Sequence, residues 1–324
     1  MSDLTSLEVP FPLRRNPHYQ HANDEHQRWL ERFPELAAIA SESVYARWDV
    51  ADLAAVAYPS CSAESLTLAT DLLGFYLLFD DGFDGELGRR PADVARICER
   101  LTDLVFDPDP ARARTETERA FLDLWERSTA GMPARWLARA AYNWERYFAS
   151  HPAEAAGRVS GLIPDRESYL VVRRGTAAME TVFDMIERLD HLEVPQAALH
   201  HPVLRRLRQI AADVPSLSND VYSYPLEAPR GDVYNLVMVA RRERGCSTDE
   251  AFEVVLAEAQ QMIDRFAELT RQLPDAYRQL DLTPDELEPT RRYVDGLTAW
   301  LVGYLDWEER TGRYAAPQPA PHAP

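Results

Sequence analysis

Three closely spaced aspartates stand at the end of one of the most apolar segments of the chain. Asp80, Asp81 and Asp84 follow the run from Leu72 to Phe79, and their spacing places Asp80 and Asp84 on one face of a helix. Unpaired carboxylates at a helix C-terminus repel one another and oppose the helix dipole. A hard divalent cation such as Mg²⁺ would relieve both problems, because it prefers carboxylate oxygens and keeps water ligands. From these residues alone, a solvated helix end is the alternative.

A second set of oxygen-bearing side chains lies much later in the chain. Asn219, Ser223 and Glu227 follow one another at four-residue steps, so each lies about 40° further round one helical stripe. Their amide, hydroxyl and carboxylate oxygens together make a chelate for a metal that prefers oxygen. An ordinary polar helix face is the alternative for this stripe alone, but its pairing with the aspartates favours a metal site.

Amphipathic helices must position these residues, because apolar side chains recur at three- and four-residue spacing along the chain. A further helix is expected after Ser247, which with Glu250 makes a good N-terminal cap. The other predicted helices span about residues 63–83, 91–106, 115–131, 133–149, 166–188, 202–224 and 286–312.

The fold class follows from this helical pattern. Alternating strand patterns are absent from the sequence, and many of the 23 prolines, Pro152 among them, fall between predicted helices. We therefore expect an all-α, single-domain helical bundle over residues 1–314, with the most apolar helices at its centre. The Pro/Ala-rich tail at 315–324 is expected to be disordered.

Composition limits the classes of partner. The formal net charge of −18 disfavours nucleic acid and anionic membranes as partners. The N-terminus lacks the apolar run of a signal peptide, and a membrane-spanning helix would need roughly 20 apolar residues. Cys61, Cys98 and Cys246 share no metal-binding spacing and are expected to be reduced thiols, so a cytoplasmic location is predicted.

The two oxygen-rich sets, in this order, resemble the metal motifs of the bacterial class I terpene cyclases. The sequence reads DDxxD from Asp80 to Asp84 and ND-x-x-S-x-x-x-E from Asn219 to Glu227. Further similar segments are VPFPLRRNP near the N-terminus, ESYLVVRRGT at 167–176, RGDVYNLV from residue 230 and the late Arg-Tyr pair at 313–314. The likeness extends over roughly residues 8–314.

This resemblance implies a helical bundle of the class I terpenoid synthase type with a central active-site cavity. It also implies Mg²⁺-dependent ionisation of a linear prenyl diphosphate, with farnesyl diphosphate favoured, and cyclisation of the carbocation to a sesquiterpene. Family likeness alone suggests a homodimer. The alternatives are a diterpene cyclase acting on geranylgeranyl diphosphate, a chain-elongating prenyltransferase and a non-enzymatic helical binding protein.

Metal and diphosphate roles are carried over from the family by position. Three Mg²⁺ ions are expected to clamp the diphosphate. The expected metal ligands are Asp80, supported by Asp81 and Asp84, and the set Asn219, Ser223 and Glu227. Arg173 stands 46 residues before Asn219, the position of the family's diphosphate-sensing arginine, with its neighbour Arg174 as an alternative. The residues similar to the family's other diphosphate donors are Arg230, Arg313 and Tyr314.

The carbocation requires an apolar cavity whose aromatic faces attract positive charge. Ordinary core packing is the alternative for each aromatic residue taken singly. The candidates for the cavity lining are Phe75, Tyr76, Phe79, Phe83, Trp300, Tyr304 and Trp307.

Three positions depart from the family pattern. Leu226 stands where the family usually has a basic residue. Pro225 is expected to kink or end the metal-binding helix, because proline removes a backbone hydrogen bond and restrains the residue before it. The glycine that follows the sensing arginine in the family is replaced within the segment 176–178.

Overall fold

The computed structural model describes residues 7–315, in which helices form the whole of the regular structure and no strand occurs. Four 3-10 turns span Ala46–Trp48, Glu86–Arg89, Pro110–Arg112 and Ala228–Arg230. The α-helices are α1 (Tyr19–Glu31), α2 (Pro34–Ala37), α3 (Glu42–Tyr45), α4 (Val50–Ala57), α5 (Ala63–Asp81), α6 (Pro91–Phe106), α7 (Glu116–Thr129), α8 (Ala134–Ser160), α9 (Arg166–Thr176), α10 (Met179–Leu189), α11 (Gln196–His200), α12 (Pro202–Glu227), α13 (Leu236–Arg244), α14 (Thr248–Thr270), α15 (Leu273–Leu280) and α16 (Pro284–Arg310).

Local sequence signals account for several helix starts. The Ser247 side chain accepts a hydrogen bond from the Glu250 amide and Glu250 bonds back to Ser247, so the predicted cap of α14 is confirmed as a capping box. Ser62 caps α5 by accepting from the Ser65 amide. The expected all-α class is likewise confirmed.

The apolar helix α5 runs through the middle of the bundle. It contacts α1, α4, α7 and α10, and its central residues are buried on nearly every face. The neighbouring α4 is buried along its whole length and packs against α16. A cavity lies between α4, α5, α8, α9, α10, α12 and α16. The bundle therefore brings the ends of α5, α9 and α12 to one place.

The predicted helix at 166–188 is instead two helices, α9 and α10. The break falls at Ala177 and Ala178, and Ala178 adopts a left-handed backbone with φ of +57°. This conformation costs roughly 1 kcal/mol or more in a residue with a Cβ atom. The break is stabilised by a buried chain in which the Tyr76 hydroxyl lies 2.5 Å from Thr181 Oγ1, and Thr181 donates to the Ala178 carbonyl at 2.6 Å.

Two prolines expected to mark helix boundaries lie inside helices. Pro152 lies within α8, which continues to Ser160, and the residues after it are anchored by tertiary contacts of Glu154 and Arg158. Pro225 lies within the last turn of α12, which continues to Glu227. There Tyr224 stays helical because its ring packs on Phe252 of α14, with ring centroids 5.4 Å apart. The prediction that α12 ends at Pro225 is therefore wrong by two residues, whereas the predicted kink stays a prediction.

None of the helices within residues 7–315 has the length and apolar character needed to cross a membrane. The predicted disordered tail lies outside the described residues, apart from Ala315. Within residues 7–315 the fold is one continuous bundle, with its largest apolar core built on α5 and the helices around it.

Candidate active site

The aspartate set lies where α5 ends. Asp80 and Asp81 belong to the last turn of α5, whereas Asp84 lies beyond it in the turn that follows. The prediction that Asp80 and Asp84 share a helical face is therefore wrong. Asp81 accepts from Arg313 Nη2 at 2.5 Å, and Asp84 accepts from Arg230. Two of the predicted diphosphate donors thus already contact the aspartate set.

The second set lies on α12 as expected. The Asn219 Oδ1 atom accepts from Arg173 at 2.6 Å, and Asn219 Nδ2 donates to the Tyr314 hydroxyl at 2.7 Å. Glu227, the last residue of α12, accepts from Asn235 Nδ2 at 3.0 Å. The buried Ser223 hydroxyl has no hydrogen-bond partner of ordinary geometry.

Burial and neighbouring charges raise the pKa of the carboxyl groups in this site. Burial, with the charge of Asp220, raises the pKa of Glu227 to about 8. Burial, with the charges of Asp81 and Asp80, raises the pKa of Asp84 to about 7. The pKa of Asp80 is also raised, by the surrounding protein and by the Glu154 carboxylate, although 51% of the Asp80 side chain is exposed to the cleft. A cation placed among these carboxylates would oppose each shift.

The donor atoms fit a divalent cation that prefers oxygen. In the part of the chain that the structure describes, no three His, Cys, Asp or Glu side chains are gathered closely enough to hold an ion by themselves. Two of the three motif aspartates turn instead toward arginines. The buried Ser223 hydroxyl has no partner of ordinary hydrogen-bond geometry, although it lies near enough to the Glu227 carboxyl to lower its pKa. It stands on the same helical stripe as Asn219 and Glu227, and a ligand would satisfy it.

Arg173 is held in the site, whereas Arg174 is held away from it. Arg173 contacts Asn219 and lies 3.1 Å from Asp220 through Nε. Burial lowers its pKa, but the carboxylate of Asp220 acts together with Tyr169, Glu154 and Glu227, and the net shift of the pKa is upward. Arg174 instead forms two 2.8 Å hydrogen bonds with Asp213. Arg174 is absent from the described lining of the cavity. Of the two arginines, Arg173 is therefore the one that faces the cavity, because adjacent helical residues point about 100° apart.

The cavity combines an apolar wall with the polar residues of both sets. Its enclosed volume is about 120 Å³, and the whole space between the lining side chains, counting the open mouth, is about 720 Å³. The polar lining residues are Asp80, Arg173, Thr176, Ser216, Asn219, Arg313 and Tyr314. The remaining lining residues are Leu53, Leu73, Tyr76, Leu77, Tyr147, Ala177, Ala178, Met179, Val182, Pro215, Trp300 and Tyr304.

Three of the seven aromatic residues predicted to line the cavity lie in its described lining. Tyr76, Trp300 and Tyr304 line the cavity. Phe75, Phe79, Phe83 and Trp307 are absent from its described lining, so these four predictions are wrong. Phe75 and Phe79 lie on a face of α5 away from the cavity, where their rings stack with centroids 5.6 Å apart. The ring of Phe83 packs on that of Phe79, with centroids 4.9 Å apart. The indole of Trp307 donates to the Trp48 carbonyl at 2.8 Å.

A polar cleft adjoins the apolar cavity. Asp80, Arg173 and Asn219 line both spaces, so they stand at the junction between them. The other residues lining the cleft are Asp84, Glu154, Arg158, Asp220, Glu227, Asp232, Val233 and Tyr234. This arrangement places charge-binding groups at one side of the junction and an apolar wall at the other.

Sequence reasoning missed several residues of this cleft. Glu154 on α8 accepts from the Thr176 hydroxyl at 2.7 Å and so joins α8 to the end of α9. Arg158, one turn later, pairs with Asp232 and donates to the Phe83 carbonyl at 3.2 Å. The charged spacing Glu154-x-x-x-Arg158 was the available signal, but it is also typical of any exposed helix.

Comparison with known proteins agrees with this geometry. The family model described as terpene synthase family 2, C-terminal metal binding, matches residues 71–265. Pentalenene synthase from Streptomyces avermitilis is 33% identical over 318 residues, which cover 98% of this chain and 94% of that protein. The (2E,6E)-farnesyl diphosphate cyclizing 7-epi-alpha-eudesmol synthase from Streptomyces viridochromogenes is 32% identical over 322 residues, with 96% and 92% covered.

A solved structure gives the same answer for the fold. The crystal structure of germacradien-4-ol synthase from Streptomyces citricolor superposes with a TM-score of 0.90 and 57% sequence identity. The match covers 96% of this chain and 100% of that chain. The family model spans both oxygen-rich sets, and the relatives match nearly end to end. This chain belongs to the terpene synthase family, with the metal-binding domain of terpene synthase family 2.

Proposed function

We propose that this protein is a Mg²⁺-dependent sesquiterpene cyclase. It ionises farnesyl diphosphate by breaking the bond between C1 and the diphosphate oxygen, so that the electron pair leaves with diphosphate. The allylic cation then cyclises and is discharged by loss of a proton or by capture of water. The observation that carries this proposal is the junction at Asp80, Arg173 and Asn219, which join a polar cleft to an apolar cavity.

The polar groups around the junction suit a diphosphate. Arg173, Arg313 and Tyr314 offer donors at the cavity wall, and a guanidinium stays charged and can meet phosphate oxygens in a bidentate manner. Fixed donors of this kind stabilise the negative charge that grows on the leaving group. In the described structure these donors contact Asn219 and Asp81, so binding of diphosphate exchanges one set of partners for another.

The metal ligands proposed are the two oxygen-rich sets. Asp80, with support from Asp81 and Asp84, would hold two Mg²⁺ ions, and the stripe on α12 (Asn219, Ser223 and Glu227) would hold a third. When bound, these ions supply Lewis acidity that neutralises the leaving diphosphate. No basic side chain occurs at Leu226, so Arg230, which pairs with Asp84, is the nearby candidate for the missing diphosphate contact.

The apolar side of the junction suits the hydrocarbon chain. Tyr76, Trp300 and Tyr304 present aromatic surface to the cavity, and ring faces attract a carbocation. The aliphatic side chains of the lining, Leu73 and Val182 among them, offer no nucleophile. The wall thus limits the access of water to the cation while it rearranges.

Farnesyl diphosphate is favoured over geranylgeranyl diphosphate. The eudesmol synthase relative is named for cyclising farnesyl diphosphate, and the pentalenene and germacradien-4-ol synthases match over almost the entire chain. A chain-elongating prenyltransferase and a non-enzymatic binding protein are both disfavoured by membership of the terpene synthase family.

The direct test is product analysis. Purified protein is incubated with farnesyl or geranylgeranyl diphosphate, with and without Mg²⁺, and the extracted terpenes are identified by mass spectrometry. We expect a cyclic C15 product that requires both farnesyl diphosphate and Mg²⁺. A C20 product would overturn the substrate assignment. Folded protein that gives no product with either substrate would overturn the proposed activity.

A further inference from the structure

The turn that carries Arg313 and Tyr314 is docked on a loop from the other end of the chain. This loop comprises the 3-10 turn Ala46–Trp48 and Asp49, which has a left-handed backbone with φ of +50°. The Arg47 carbonyl accepts from the Gly312 amide at 2.8 Å, and the Trp48 carbonyl accepts from Thr311 Oγ1 at 2.8 Å. These two hydrogen bonds to backbone carbonyls of the loop set the position of the turn independently of the Arg313 and Tyr314 side chains.

The side chain of Trp48 contacts Arg313 directly. The Arg313 guanidinium carbon lies over the indole ring, 4.4 Å from its centroid, which is within the range of a cation–π contact. Both Nη atoms of Arg313 still reach Asp81, at 2.5 and 3.4 Å. The indole thus holds the guanidinium of Arg313 in place, while the N–H donors of that guanidinium remain available to an anion.

Trp48 is itself fixed by a buried chain of contacts. Only 2% of the residue is exposed, and its ring packs on Tyr45 with centroids 5.0 Å apart. The Tyr45 hydroxyl lies 2.7 Å from His26 Nε2, and His26 Nδ1 lies 2.9 Å from Asp71. A ring held in this way is a pre-organised support rather than a mobile surface group.

We infer that Trp48 is a positioning residue for the diphosphate group: it holds Arg313 in place while the Arg313 donors pass from Asp81 to the diphosphate. The inference rests on the proposed function, because it takes Arg313 as a diphosphate donor. Asp81 is the partner that Arg313 exchanges, and Trp48 is the partner that it keeps. Losing the indole should therefore weaken diphosphate binding even though the pair between Arg313 and Asp81 can still form.

The test measures binding of inorganic diphosphate with Mg²⁺ by calorimetry, which needs no turnover. Trp48→Leu should weaken binding by about 2- to 30-fold, the range of a cation–π contact, and Trp48→Phe should recover most of the loss. In an Arg313→Met background, Trp48→Leu should add no further loss. Trp125→Leu removes a buried indole that packs on Phe121 of α7, and it should leave the dissociation constant unchanged.

Three outcomes would overturn the inference. These are unchanged binding in folded Trp48→Leu, an equal loss in the Arg313→Met background, and no recovery with phenylalanine. If Trp48→Leu does not fold, Gly312→Ala tests the docked turn, because the new Cβ would lie 2.7 Å from Arg47 Cβ and displace Arg313. Unchanged binding in that variant would also count against the inference. Failure of the wild-type protein to bind diphosphate would instead refute the proposed function.

Discussion

Replacing Arg173 with methionine should separate stability from catalysis. The guanidinium is 16% exposed and compensates Asp220, which is 2% exposed. Removing one partner of such a buried pair costs about 3–5 kcal/mol. Asp220 keeps hydrogen bonds from the Tyr169 hydroxyl at 2.6 Å and the Leu236 amide at 2.5 Å, so we expect the low end, about 3 kcal/mol. At roughly 2 °C per kcal/mol for a chain of this size, the Tm should fall by about 6 °C.

The double variant Arg173→Met/Asp220→Asn should recover most of that stability, because the unpaired buried charge is gone. It should not recover activity: loss of a donor to the leaving group lowers kcat by roughly 10²–10³-fold. Arg174→Met is the matched control, since it also strips a buried aspartate of its partner but lies off the cavity. Tm by circular dichroism and diphosphate release measure the two effects. Near wild-type turnover in Arg173→Met, or no recovery of Tm in the double variant, would refute the reasoning.

Asn219→Ala and Glu227→Ala should each abolish turnover without loss of helical circular dichroism, and full activity in either would remove the α12 stripe from the metal site. Leu226→Lys should preserve or raise the rate of diphosphate release, whereas a large loss would show that position 226 tolerates no charge. Because the pKa values of Glu227 and Asp84 are raised to about 8 and 7, the metal-free protein holds protons there that the unfolded chain releases. Its stability should fall as pH rises toward 8, while Mg²⁺ should bind more tightly and release protons, measurable by calorimetry in buffers of different ionisation enthalpy.

Helix type and the placement of the α12 stripe could be predicted from spacing alone, because the apolar period and the polar stripe are local properties. Spacing did not place Asp84, because α5 ends at Asp81. The break between α9 and α10 could not be predicted in this way, because residues 176–178, where it falls, include no glycine or proline. It depends on tertiary contacts, the chain from Tyr76 through Thr181 among them. The same limit applies at Pro152, where the residues that follow it in the helix are anchored by the tertiary contacts of Glu154 and Arg158.

The aromatic lining of the cavity shows a limit of prediction from helical periodicity. Because α5 is apolar on most faces, periodicity does not indicate which of Phe75 and Tyr76 faces the cavity. Trp300, Tyr304 and Trp307 share a face of α16, but only the first two line the cavity, because the third is bound to the Trp48 carbonyl near the helix end. The contact of Trp48 with Arg313 could not be predicted from the sequence, because the two residues lie 265 positions apart.

The contacts between three arginines and the two oxygen-rich sets also bear on how the enzyme releases its product. Arg313 on Asp81, Arg230 on Asp84 and Arg173 on Asn219 are bonds within the protein. The two partners of each bond belong to the same chain. Each therefore competes with any ligand of the other at an effective concentration that dilution cannot lower. If diphosphate and Mg²⁺ bind as proposed, Asp81, Asp84 and Asn219 compete with inorganic diphosphate for these three arginines, and the arginines compete with Mg²⁺ for these three side chains. On that proposal, contacts within the protein help to expel diphosphate and so limit product inhibition.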